Sequence, residues 1–227
     1  MKKKWMTMLL AVALLTGCGA AEEVPEQEVQ ENTSVQSEMY SEQIDAYRTA
    51  LKEQWEMDAY FEQDMSSLAV YYYEGDALKN IGYALMDLDM DGSDELLIGS
   101  KDEKDPVIFE LWTMGENGEA VKLVTSHERN RYYLEWQEEG VYMLENQGSN
   151  GAANSAHHYY TLEDGMLQVQ QAIVFDAIAD EANPWFMAYD EDWDTSNDSP
   201  IEEQTALDIM DAYSKTIIVP EYIPFSE

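Results

Sequence analysis

The sequence predicts an α+β fold, with an N-terminal helix, an antiparallel meander of about eight strands, a C-terminal helix and an extended tail. Three observations predict it. Apolar residues at Tyr40, Ile44, Tyr47, Leu51 and Trp55 recur at steps of three and four, which is one face of a helix. From Ile81 the pattern changes to short apolar runs separated by turn residues, among them Asn117-Gly118, Glu139-Gly140 and Asp164-Gly165. Such pairs admit positive φ and close hairpins rather than βαβ units. Ser199-Pro200-Ile201-Glu202 then fits a capping box with proline at the first helical position.

The elements follow in chain order. Lys2, Lys3 and Lys4 form a positive n-region, and Trp5 to Leu15 is an apolar stretch too short to span a bilayer. Leu15-Thr16-Gly17-Cys18 follows it and resembles the lipobox of bacterial lipoproteins. The resemblance implies a signal peptide over 1–17, cleavage before Cys18, acylation of the Cys18 thiol and anchoring on the extracytoplasmic face of the cell membrane. More than one acyl chain gives lasting anchorage. Cys18 is the only cysteine, which excludes an internal disulfide and a Cys-rich zinc site. Losing residues 1–17 removes three of the 12 basic residues and no acidic one, so the charge becomes 9 − 47 = −38. Residues 18–38 carry Glu22, Glu23, Glu26, Glu28 and Glu31 with no apolar periodicity, and read as a disordered acidic tether. Residues 39–227 read as a single domain.

Within that domain the first helix is expected to take its cap from Ser37 or Ser41 and to fray between Phe61 and Ser67. Tyr71-Tyr72-Tyr73 ends at the turn Glu74-Gly75-Asp76. The strands predicted are Gly82–Asp87, Glu95–Ser100, Val107–Thr113, Ala120–Ser126, Arg131–Gln137, Val141–Glu145, Ala156–Leu162 and Met166–Asp176, with Gln147 to Ser155 as a longer mobile loop. Eight hairpin-linked strands suit either two four-stranded blades or one curled sheet. The second helix is expected from the Ser199 cap to about Lys215, with Ala206, Leu207, Met210 and Tyr213 inward. Prolines at 220 and 224 confine the tail to a sheet edge or a surface groove.

One motif carries chemistry. Asp87-Leu88-Asp89-Met90-Asp91-Gly92-Ser93-Asp94-Glu95 lies between two apolar runs. Carboxylates at its first, third, fifth and ninth positions can converge on one hard cation. The Ser93 carbonyl can add an oxygen, and Gly92 permits the sharp turn. An all-oxygen, anionic donor set selects Ca2+ over zinc or copper. An EF-hand is excluded, because its twelfth position here is Ile98 and its eighth is Asp94. With Tyr83-Ala84-Leu85-Met86 before it and Leu96-Leu97-Ile98-Gly99 after it, the motif resembles the β-hairpin calcium loops of FG-GAP and VCBS repeats. The resemblance covers residues 83–99 in one copy and implies Ca2+ at Asp87, Asp89, Asp91, the Ser93 carbonyl and Glu95. The layout as a whole resembles uncharacterised surface lipoproteins of Gram-positive bacteria. A like-charge pair ~4 Å apart costs about 4 kcal/mol at an effective dielectric near 20, so five clustered carboxylates favour a cation. A second run, Asp190, Asp192, Asp194, Ser196 and Asp198, repeats the spacing but lacks the glycine, and reads as an acidic linker before it reads as a second metal loop.

Composition sets the remaining bounds. With 12 Lys and Arg against 47 Asp and Glu, net charge −35, the chain has no basic face for nucleic acid. Hydrophobic residues at 45% supply a core. Ser126-His127 and Ser155 with His157 suggest nucleophile and base, but no nucleophile elbow surrounds them. His157 and His158, adjacent in a strand, point to opposite faces. Glu135 and Glu145 offer a glycosidase-like pair among many acids. Tyr132, Tyr133, Trp136, Tyr142, Tyr159 and Tyr160 suit core packing before a glycan or peptide surface. The expectation is a lipid-anchored calcium-binding surface protein that binds or scaffolds a cell-surface glycan or protein ligand. The alternative is a cell-surface hydrolase acting on glycan or peptidoglycan through carboxylates.

Overall fold

The computed structural model describes residues 38–137 and 140–227. The signal peptide, Cys18 and all but the last residue of the tether lie outside the described residues. Helix α1 runs Ser41–Glu53 and buries Ile44, Tyr47, Ala50 and Leu51, with Tyr40 at its N-cap. Among the described residues no side chain caps it: Ser41 is already its first residue, and Ser37 lies outside the described residues. The helix does not continue to a frayed end near residue 61. Gln54 closes it in the left-handed region, φ 52°, and a separate short helix α2 follows at Met57–Glu62, then a 3-10 turn at Ser67–Tyr72. A one-turn helix α3, Ala77–Asn80, leads into the sheet.

All eight predicted strands are present: β1 Ile81–Met86, β2 Glu95–Ser100, β3 Ile108–Met114, β4 Ala120–Thr125, β5 Asn130–Trp136, β6 Tyr142–Ser149, β7 Asn154–Glu163 and β8 Met166–Asp176. The Gln147–Ser155 segment is no long loop. Strands β6 and β7 run into it as far as Ser149↔Ser155, leaving a tight connection closed by Asn150 N–H bonding to the Asn154 carbonyl. Four further short strands complete a single open antiparallel sheet: β9 Trp185–Ala188, β10 Ser199–Pro200, β11 Ile217–Ile218 and β12 Ile223–Pro224. The two meanders are neighbours in that one sheet, joined between β3 and β5 at Ile108↔Tyr132.

Ser126 stitches this joint. Its hydroxyl donates to the Ile108 carbonyl at 2.5 Å and accepts from Tyr132 N–H at 3.0 Å, while its own carbonyl accepts from Ser66 Oγ at 2.7 Å. The residue is fully buried, so its hydroxyl is a structural hydrogen-bonding group rather than a nucleophile.

Strand β2 is buried along its whole length because the sheet is covered on both faces there. Leu96 and Ile98 meet α1, α2 and the 3-10 turn, alongside Tyr47, Tyr60, Phe109 and Phe225. Leu97 joins Ile108, Leu111, Leu134, Leu144 and Tyr222 on the other face. The tail is what sequence spacing led us to expect: β11 pairs with β5, and β12, carrying Pro224, takes the free edge of β1. Gly82 admits this close approach, since a Cβ there would sit 2.6 Å from the Ile223 carbonyl oxygen.

The C-terminal helix α4 spans Glu203–Ser214. Ser199 and Pro200 do not open it; they pair with Met187 and Phe186 as β10, and no side chain caps the helix. The strand β9, which alternation did not reveal, captures them and carries the chain extended for two residues more. Ala206, Ile209, Met210 and Tyr213 pack on Met143, Tyr159 and Ile173, whereas Leu207 points outward, 43% exposed. Among the described residues no helix is long and apolar enough to cross a membrane.

Candidate metal centre

The hairpin between β1 and β2 is set by its register. Met86 lies opposite Glu95, so residues 87–94 form a loop and Glu95 begins the buried strand. Met90 and Gly92 both take positive φ, 62° and 93°; at Gly92 the conformation carries no Cβ strain. These reversals fold the acidic side chains back on one another. Asp87, Asp89 and Glu95 each bring a carboxylate oxygen within 4.8 Å of the other two, and this group can hold a metal ion.

The three acids stand in different surroundings. Glu95 is 2% exposed; its Oε2 accepts from Leu88 N–H at 2.9 Å and its Oε1 from Thr113 Oγ1 at 3.0 Å. Burial first, with Asp89 and Asp91 behind it, pushes this carboxyl up to about 7 despite those two donors. Asp87 accepts from Gly92 N–H through Oδ2 at 3.0 Å. Its Oδ1 is buried and has no hydrogen-bond partner among the described residues. Asp89 accepts from Asp91 N–H at 3.2 Å. The loop therefore ends with a buried oxygen lacking a donor beside two more carboxylates, a set that fits a hard cation.

Asp91 does not belong to the converging group of carboxylates. Asp91 turns its Oδ1 onto Ser93 N–H at 2.7 Å. Asp94 lies outside the set too; burial and then Asp87 raise its carboxyl, and its backbone carbonyl accepts from Tyr40 Oη at 3.0 Å, tying α1 to the hairpin. The role of Thr113 and Leu88 in holding Glu95 had no signal in the local motif, because both contacts depend on the fold.

The second acidic run is arranged otherwise. Asp192 and Asp194 accept from Asp194 N–H and Ser196 N–H, at 2.8 and 3.0 Å, around the 3-10 turn Thr195–Asn197. Among the described residues only Asp87, Asp89 and Glu95 meet the three-ligand spacing; in the second run Asp198 Oδ2 is buried without a hydrogen-bond partner, and burial, then Asp190, Asp192 and Asp194, raise its carboxyl.

The residues that suggest hydrolysis in the sequence are placed elsewhere. Glu135 and Glu145 are 0% and 1% exposed, with Tyr213 of α4 close to Glu135. His158 is buried, while His157 shares a face with Glu145 and meets it at 2.7 Å, so the two histidines do face opposite ways. Of the aromatics, Tyr133, Tyr159 and Tyr160 are core; Trp136 is 40% exposed and leans on Tyr142 at 4.5 Å between ring centroids. No protein-family model matches this chain, and no match was found among curated proteins or solved structures.

Proposed function

We propose that the chain is a lipid-anchored, extracellular calcium-binding surface protein, in which Ca2+ secures the β1–β2 hairpin and the sheet serves binding or scaffolding. The observation that carries the reading is the convergence of Asp87, Asp89 and Glu95 around a buried, donorless Asp87 oxygen. Donors that are all oxygen, on a loop with two positive-φ turns, suit the flexible, high coordination number of Ca2+ better than the strict octahedron of Mg2+. Asp91 and the Ser93 carbonyl are the further oxygens the loop offers. Bound there, the ion supplies charge neutralisation and cross-linking of the hairpin, and no bond-breaking chemistry.

The lipobox at Cys18 supports anchorage, and the glutamate-rich segment after it suits a spacer between membrane and domain. The ridge of Trp136 against Tyr142 offers a stacking surface for a glycan ring or an apolar side chain of a protein ligand. Thermal melts with calcium and with chelator test the ion: the midpoint should rise with calcium, and identical midpoints would sink the reading. Cys18→Ala should release the protein into the medium, and a variant that stays with the membrane fraction refutes the anchor.

A further inference from the structure

The geometry points to a single proton shared between Glu135 and Glu145, which seats the C-terminal helix and β11 on the sheet. The pair is independent of the acidic hairpin. Glu135 on β5 and Glu145 on β6 reach one another diagonally, since Glu135 lies opposite Met143 and Glu145 opposite Tyr133. Two of their four carboxylate oxygens have partners: Glu135 Oε2 accepts from Gln137 Nε2 at 3.0 Å, and Glu145 Oε1 meets His157 Nδ1 at 2.7 Å. The other two, Glu135 Oε1 and Glu145 Oε2, are buried with no donor among the described residues. One proton resolves both, because a protonated carboxyl donates to the carboxylate beside it.

Facing the pair are His157 and Tyr159 from β7, Tyr213 from α4, and the neutral Gln137 and Thr216. His157 is the one cationisable group among them; Lys215, next to Thr216, is turned onto Asp211 at 2.5 Å. Burial, and after it the Glu145 charge, push the Glu135 carboxyl up to about 8.

The same groups hold the C-terminal segment. Tyr213 stacks on Tyr159 at 3.7 Å between ring centroids, and the Tyr159 hydroxyl, buried without a hydrogen-bond partner among the described residues, is raised by burial and then by the Glu145 and Glu135 charges. Gln137 Nε2 bonds both Glu135 and Thr216 Oγ1, the latter at 3.1 Å, and Ile217 pairs with Glu135 in the sheet. Gln137, Met143, Tyr213 and Thr216 also border an open cleft of about 610 Å³. Two ionised carboxylates would draw water through this wall, and α4 with β11 is the element that must give way. The unfolded chain ionises Glu135 in the ordinary acid range while the folded chain keeps its proton. Stability from this site is therefore full at acid pH and is lost as pH rises through about 8.

Carboxyl-carbon NMR and amide hydrogen exchange on the full chain test this. The Glu135 Cδ signal, identified by its loss in Glu135→Gln, should titrate near pH 8. Exchange at Ile217 and Ile218 should accelerate over the same range beyond its intrinsic rise, in wild type and not in Glu135→Gln. A Glu135 carbon that titrates in the ordinary acid range overturns the shared proton. A titration near pH 8 with no change in exchange, or the same acceleration in Glu135→Gln, overturns the seating role. Should Glu135→Gln fail to fold, sequential assignment in wild type identifies the carbon, and its titration and the wild-type exchange profile still decide.

Discussion

Asp89→Asn should change stability in opposite directions with and without calcium. In the metal-free hairpin, Asp89 sits with oxygens of Asp87 and Glu95 inside 4.8 Å. A pair of unit charges at that separation repels by about 1 kcal/mol at the dielectric of water and about 3–4 kcal/mol at an effective value near 20. Asp87 and Asp89 are half-buried and Glu95 is buried, so the metal-free variant should gain about 1–2 kcal/mol over wild type. Calcium at about 100 times its dissociation constant should stabilise wild type by about 2.7 kcal/mol. In a domain of this size that raises the melting midpoint by about 5–10 °C. The variant, which lacks one anionic ligand, should show a small fraction of that rise. Calorimetry of both proteins in chelator and in calcium reads all four midpoints. If Asp89→Asn is destabilising in chelator, the acids are not strained against one another and the argument from repulsion fails. If it responds to calcium as wild type does, Asp89 is not a ligand.

Three other outcomes are expected. Ser126→Ala strips the half-buried Tyr132 N–H of its acceptor at the β3–β5 joint and should cost about 1 kcal/mol by urea denaturation; a neutral result would deny the stitch. Gly82→Ala places a methyl group 2.6 Å from the Ile223 carbonyl oxygen, so β12 should loosen, with a loss of about 1–3 kcal/mol and faster proteolysis of the C-terminus. Between pH 6 and 8, wild type should lose about 1.4 kcal/mol per pH unit relative to Glu135→Gln, because only wild type has that carboxyl to ionise; parallel pH profiles would contradict it.

Much of this fold was legible because strand alternation and Asx-Gly turns are local signals. The eight meander strands and the α1 face come from side-chain periodicity that no tertiary contact needs to create. What was illegible came from competition between elements. Ser199-Pro200 has helix-start chemistry, yet Phe186 and Met187 offer an open strand edge and extended pairing wins. Gln147 to Ser155 has loop composition, yet two long strands zip through it. The acidic hairpin was readable in its spacing, since glycine and alternate acids are all that convergence of Asp87 and Asp89 requires. Exclusion of Asp91 from the converging group was not, because a carboxylate can choose a backbone N–H over its neighbours.

The buried glutamates explain how so acidic a chain keeps a core. Glu110, 1% exposed, is surrounded by donors: Tyr47 Oη and Ser66 N–H at 2.9 Å, Trp112 Nε1 at 2.9 Å, and the Lys122 ammonium at 3.7 Å. Burial raises its carboxyl, and Lys122 is the strongest of the groups that oppose the rise. Glu95 has two donors and two carboxylate neighbours, so donors alone leave its charge uncompensated. Glu135 and Glu145 have each other. The first site answers the electrostatic problem with a fixed cation and donors; the answers we propose for the other two are a captured ion and a proton. The first answer is built into the chain and should be indifferent to calcium. The second should follow the free calcium concentration and the third the pH. On the two proposals together, the stability of this domain should respond to two solutes at two separate places on one sheet. Calcium should leave the Glu135 titration unmoved, and Glu135→Gln should leave the calcium-dependent rise in melting intact.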